Sequence, residues 1–123
     1  MSDFGLHVMI DGRFCDHDKL ADMVHVWRVL DELPGVIGMT KITQPYVVPY
    51  SGLVPEDKGV TGAVIIAESH ITIHTFTEKD YLFFDIFSCR LFDVKTAVAY
   101  ITNAFGINEC EIHQAKRGRY FPR

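Results

Sequence analysis

The sequence predicts an α+β fold: a two-layer α/β sandwich in which an antiparallel sheet carries two helices on one face. Two segments, 18–33 and 94–105, repeat apolar residues at helical spacing. The other apolar segments are short, rich in β-branched residues and separated by brief turns. Strands connected in that way pair antiparallel, and two helices cover one face of the sheet they form. The uncovered face, where apolar, needs a partner, and a symmetric homodimer is the simplest.

The elements follow in chain order. Phe4–Ile10 is an apolar run closed by Asp11-Gly12, a first strand and turn. Leu20, Met23, Val24, Trp27 and Leu30 form the stripe of the first helix, which Pro34-Gly35 ends. Val36–Thr43 reads as a second strand. Gln44–Gly59, with its prolines, glycines and tyrosines, reads as a long loop, a kind that is usually functional or mobile. Val60–Ala67, Ile71–Phe76 and Tyr81–Cys89 are strands. Asp93 caps the second helix, whose stripe is Val94, Ala97, Val98, Ile101 and Phe105, and Gly106 stops it. Ile107–Gln114 is the last strand, followed by a basic tail from Lys116 to Arg123.

Bulk properties narrow the function. The length fits one domain, 1–123, and 48% hydrophobic with 23% charged residues is ordinary for a globular protein. A net charge of −4 argues against a nucleic-acid partner. Three cysteines make no disulfide framework, so a reducing, cytoplasmic setting is expected. Neither a leader nor a membrane span is expected, because no apolar run is long enough.

The polar residues inside the strands need a reason. His70 and His74 share a strand face with Thr72 by period two, and no third ligand follows at a recognisable spacing, so no metal site is expected. Glu109-Cys110-Glu111-Ile112-His113 also holds ligand types but reads as an edge strand with solvated acids. Ser69, His74 and Asp85 have the residue types of a hydrolase triad, yet Ser69 lies between Glu68 and His70, without the glycines of a nucleophile elbow. Cys89, taken alone, reads as a buried inert thiol. Tyr46 and Tyr50 either stack on a planar ligand or pin the long loop. The basic tail is either solvated or a phosphate contact.

Taken together, these residues resemble a known family. Gly59-Val-Thr-Gly, then Glu68-Ser69-His70, a strand ending His74-Thr75, and Asp85-Ile-Phe-Ser-Cys89 are similar to the prokaryotic S-adenosylmethionine decarboxylase proenzymes. Gly5-Leu6-His7 with Asp11, and Arg117-Gly118-Arg119, match in the same order. The resemblance implies self-cleavage between Glu68 and Ser69 into a 1–68 β chain and a 69–123 α chain. Ser69 would become a covalent pyruvoyl group, which forms a Schiff base with the substrate amine and accepts electrons as CO2 leaves. It further implies His74 as the processing base, Thr61 as a hydroxyl donor in processing, and Cys89 as the proton donor in decarboxylation. Glu78, Phe76, Tyr46, Tyr50 and Asp11 are the expected substrate-binding residues. The product would be the aminopropyl donor of spermidine synthesis, made by a homodimer.

Three departures concern the substrate. Phe76-Thr77-Glu78 replaces a Trp-Pro-Glu, Cys89-Arg90 replaces a Cys-Gly, and the segment before Gly59 is longer than usual and lacks a Phe-His-x-Phe pattern. A second reading therefore keeps the pyruvoyl group but takes ornithine or arginine, motivated by Glu56 and Asp57. A third is an unprocessed, non-catalytic binding paralogue.

Overall fold

The computed structural model describes residues 4–122. Strands β1 (Gly5–Arg13), β2 (Tyr46–Tyr50), β3 (Gly59–Ile66), β4 (Ser69–Phe76), β5 (Tyr81–Ser88) and β6 (Glu109–Arg117) form one sheet in the order β2-β3-β4-β5-β1-β6. Every neighbouring pair is antiparallel. Helices α1 (His17–Ala21), α2 (Met23–Val36) and α3 (Val94–Phe105) complete the fold. Strands β2 to β5 are a meander, whereas β1 and β6 reach their places through the helical connections.

The sandwich is as expected, with local corrections. The first helix is two helices, because Asp22 sits in extended backbone and its carboxylate accepts from the N–H groups of Val24 and His25, starting a new N-terminus. The break resets the helical phase. Val26, Val29, Leu30 and Leu33 become the buried stripe, and the expected Met23, Val24 and Trp27 are 37%, 63% and 38% exposed. The helix also runs past Pro34 to Val36, forgoing the one i→i−4 hydrogen bond that a residue with an N–H would donate at that position.

Consequently 36–43 is no strand; only an isolated bridge joins Lys41 to Ile66. The second strand lies inside the expected loop, as β2. It is an edge strand, where Pro49 is tolerated. Asp11-Gly12 is not a turn either. Strand β1 continues to Arg13, and Gly12 leaves room for Ile107, whose Cδ1 stands 2.9 Å from where a Cβ would be. The second helix keeps both expected ends, the Asp93 carboxylate on the Thr96 N–H and Gly106 at φ 60°.

The core lies between sheet and helices. Leu6, Val8 and Ile10 of β1, Ile71 and Ile73 of β4, and Leu82, Phe84 and Ile86 of β5 meet the α2 stripe together with Ala97, Ile101 and Phe105 of α3. All are buried. Alternation puts the intervening residues on the opposite face, which no helix covers. Cross-strand register aligns that open face in rows. One runs Val48, Thr61, His74, Phe83, Asp11, Glu111, and another Tyr46, Ala63, Thr72, Asp85, Met9, His113.

Asp22→Ala removes the cap that divides α1 from α2. It should lower unfolding free energy by about 1 kcal/mol in urea titration, with Asp22→Asn close to wild type.

Candidate active site

The β3–β4 hairpin is tight: Ile66 pairs with Ser69, leaving Ala67 and Glu68 as the turn. The turn is held from outside. The Ala67 N–H donates to the Thr40 carbonyl at 3.0 Å, and the Ile42 N–H to the Ile65 carbonyl at 2.9 Å. The segment expected as a strand thus serves as a brace. Glu68 points to solvent, while Ser69 is 8% exposed and faces the helices. The Ser69 Oγ has no hydrogen-bond partner, the one such buried side-chain atom among the described residues. An unbonded buried hydroxyl costs about 1–3 kcal/mol, so it calls for an explanation.

Cys89 reaches the same turn from the end of β5. Its Sγ–H donates to the Ala67 carbonyl at 3.2 Å. The adjacent Ser88 hydroxyl is bound to the Arg90 backbone, and the Arg90 guanidinium donates to the Gly38 carbonyl at 3.0 Å. Arg90 is therefore a tie to the brace. Cys15 differs from Cys89. Burial, then the Asp80 carboxylate and Cys110, push its thiol up to about 12, and it stays protonated.

His74 and Thr61 lie elsewhere. They form a cross-strand pair on the open face, joined by a 3.1 Å hydrogen bond between the Thr61 Oγ1 and His74 Nδ1. Beside them is a cavity of about 370 Å3 whose lining includes Tyr50, Asp57, Thr61, His74 and Phe76. Phe76 meets Phe83 edge to face, with ring centroids 5.8 Å apart. Glu78 is outside this lining, its carboxylate 3.1 Å from the Lys58 ammonium, and Lys79 pairs with Asp57 at 2.5 Å. Tyr46 is on the open face but outside this lining.

Asp11 shares the His74 row with Phe83 between them, and its neighbours are Glu111 and His113. Oxygen and nitrogen atoms of Asp11, Glu111 and His113 lie within 4.8 Å of one another, a grouping that excludes His70 and His74.

The structure thus brings Ser69, Glu68 and Cys89 together, and Thr61, His74, Phe76 and Tyr50 together, but not the two sets. Ser69 and His74 are five positions apart along the strand, about 16 Å at strand rise, and the two face opposite sides.

Sequence reading gave no role to the residues around His70. On the open face its ring is 5.6 Å from that of Phe87, over which the Arg117 guanidinium sits at 4.5 Å. His7 hydrogen-bonds Asp85 at 3.3 Å alongside. Burial, then the neighbouring His7, lower the His70 pKa from the usual imidazole value, against the opposing Asp85 carboxylate. The signal was the motif match of His7, Asp85 and Arg117; only cross-strand register, absent from a sequence, assembles them.

Fold and site define a one-sided α/β sandwich with a strand-end serine and a strand-end cysteine meeting at one hairpin turn. A sequence profile of the S-adenosylmethionine decarboxylase family matches residues 6–118. S-adenosylmethionine decarboxylase proenzymes are similar: that of Clostridium botulinum (strain Loch Maree / Type A3) is 34% identical over 94% of this chain and 95% of its own. That of Anoxybacillus flavithermus is 35% identical over 96% and 90%, and that of Pyrococcus furiosus 32% over 96% and 81%. The crystal structure of the adenosylmethionine decarboxylase from Aquifex aeolicus superimposes with a TM-score of 0.82, covering 100% of this chain and 98% of that one at 24% identity, a likeness of fold. The chain belongs to the S-adenosylmethionine decarboxylase family. Among the described residues, no helix is long and apolar enough to cross a membrane.

His70 is neutral in the folded protein over a pH range where the unfolded imidazole is protonated. Its contribution to stability is therefore complete above the unfolded value and is lost as pH falls through the window below it. An NMR titration should place its midpoint below that of a free imidazole, and Arg117→Gln should raise it.

Proposed function

We propose that the chain is a self-processing, pyruvoyl-dependent decarboxylase of S-adenosylmethionine. The observation that carries this reading is the buried, unbonded Ser69 hydroxyl directly after Glu68, on a turn that Cys89 also touches. A hydroxyl oxygen that accepts from another donor would be a poorer nucleophile, and the Ser69 Oγ has no such donor. Its Oγ adds to the Glu68 carbonyl carbon, the C–N bond breaks as the hydroxyl proton passes to the Ser69 nitrogen, and the acyl group becomes an ester on Ser69. Removal of the Ser69 α-proton then expels the Glu68 carboxylate, releasing chain 1–68. The dehydroalanine left on 69–123 takes up water and loses ammonia, giving the pyruvoyl group.

Residues around the turn fit that group. When formed, it supplies a carbonyl that engages the substrate amine and accepts the electron pair released with CO2. Cys89, its sulfur already at the turn, is the acid that returns a proton to the carbon that lost CO2. Thr61 and His74 form the second half of the site. Tyr50 and Phe76 offer rings to a flat base, and the cavity's size suits a nucleoside. Asp57 in the lining, with Glu78 outside it, suits ribose hydroxyls or a positive charge.

The two halves meet across a homodimer. Ala63, Ile65, Met9, Phe83 and Phe87 make the open face apolar enough to need cover. Stacking two open faces about a two-fold axis, with β4 antiparallel to its partner strand, sets the Ser69 end of one chain over the His74 end of the other. Asp57 at the rim favours the runner-up, a basic amino acid substrate, which the same assay tests.

Intact-mass measurement of purified protein should give two chains, 1–68 and 69–123, and Ser69→Ala should give one species near 14.0 kDa. Wild-type protein should release CO2 from S-adenosylmethionine and not from ornithine or arginine, and Cys89→Ala should process yet lose roughly 100-fold or more in turnover. An uncleaved wild-type chain would contradict self-processing; CO2 from ornithine or arginine alone would contradict the substrate.

A further inference from the structure

The sheet ends at β6, where all nine residues are exposed. Its outer edge is available for pairing. The Phe4 N–H donates to the Gly118 carbonyl at 3.2 Å, which fixes which residues of β6 exchange hydrogen bonds with β1. By the alternation of antiparallel ladders these are Cys110, Ile112, Gln114 and Lys116. The backbone groups of Glu109, Glu111, His113, Ala115 and Arg117 are then directed off the edge.

Charge along β6 is divided: Glu109 and Glu111 stand in its first half, Lys116 and Arg117 at its end. Charges that protect an edge strand work by repelling any strand that approaches. A strand acidic at one end and basic at the other does the reverse toward an antiparallel copy of itself. About a two-fold axis at His113, the strand's midpoint, Glu109 of each copy meets Arg117 of the other and Cys110 meets Lys116. Opposite charges at such positions stabilise a strand pair.

The helix-side flank agrees. A groove of about 1080 Å3 lies between α3 and β6, with Val94, Val98, Ala99 and Ile112 in its lining. Ile112 is 42% exposed on the wall of that groove. Across the axis it would stand opposite Gln114 and diagonal to the second Ile112, covering both.

We propose that the edge of β6 pairs antiparallel with β6 of a second copy, making one continuous sheet across a two-fold axis. This contact is separate from the open face, which it leaves free, so the two together build a dimer of dimers.

Sedimentation and native mass spectrometry of processed wild-type protein over a range of concentrations test it. Ala115→Pro removes an N–H directed off the edge while sparing the ladder to β1. Circular dichroism and intact self-processing confirm that the variant folds. The expected result is a wild-type assembly twice the mass of the Ala115→Pro assembly. Glu109→Lys should weaken it by roughly tenfold, as added salt should, and combining it with Arg117→Glu should restore part of the loss. Equal masses for wild type and Ala115→Pro at every concentration would overturn the proposal. Monomers in place of dimers for Ala115→Pro would support edge pairing and refute the open-face dimer. Should Ala115→Pro misfold, Glu109→Lys decides: an unchanged association constant overturns the proposal.

Discussion

Strand β4 can put only alternate residues on one side of the sheet, and that constraint organises the site. Ser69, Ile71, Ile73 and Thr75 turn toward the helices; His70, Thr72, His74 and Phe76 turn toward the open face. The serine consequently shares the dry side with the core, and its hydroxyl loses water without gaining a partner. The imidazole shares the wet side with Thr61 and a cavity. No rotamer change moves a strand residue to the other face. Any chemistry that needs both groups needs a second surface.

The hairpin turn is positioned by more than its own two strands. Thr40 and Ile42 brace it, Arg90 ties that brace through Gly38, and Cys89 donates to Ala67. The arrangement explains why Arg90 follows the cysteine here: its guanidinium reaches a backbone carbonyl away from the thiol. At the opposite end of β4, Lys58–Glu78 and Asp57–Lys79 fasten the long loop to the turn after the strand. Exposed pairs of this kind contribute little to stability singly. Their geometric effect is to keep Tyr50, Asp57 and Phe76 around one cavity.

Period and punctuation in the sequence foretold the layers, the single-sided helices, the α3 caps and the strand status of β3 to β6. They failed where a local side chain overrode the pattern. Asp22, an ordinary helix-surface residue by periodicity, acts as a cap and shifts the buried stripe from Met23, Val24 and Trp27 to Val26, Val29 and Leu33. Val36–Thr43 has strand composition but is used as a brace, and the proline in β2 hid an edge strand. For the site, motif order identified Glu68, Ser69, His74 and Cys89 as a set. It carried no information about faces, because a motif spanning two strand ends looks contiguous until register is known.

The separation of Ser69 from His74 is tested most directly by mixing two disabled chains. In the proposed homodimer, co-expressed His74→Ala and Cys89→Ala chains would form hybrids in which one site combines intact Ser69 and Cys89 with the partner's intact imidazole. Decarboxylation is expected from the hybrid, carried by that one restored site, while each variant alone stays inactive. A hybrid as inactive as its parents would contradict it, for it would mean that the two halves work within a single chain.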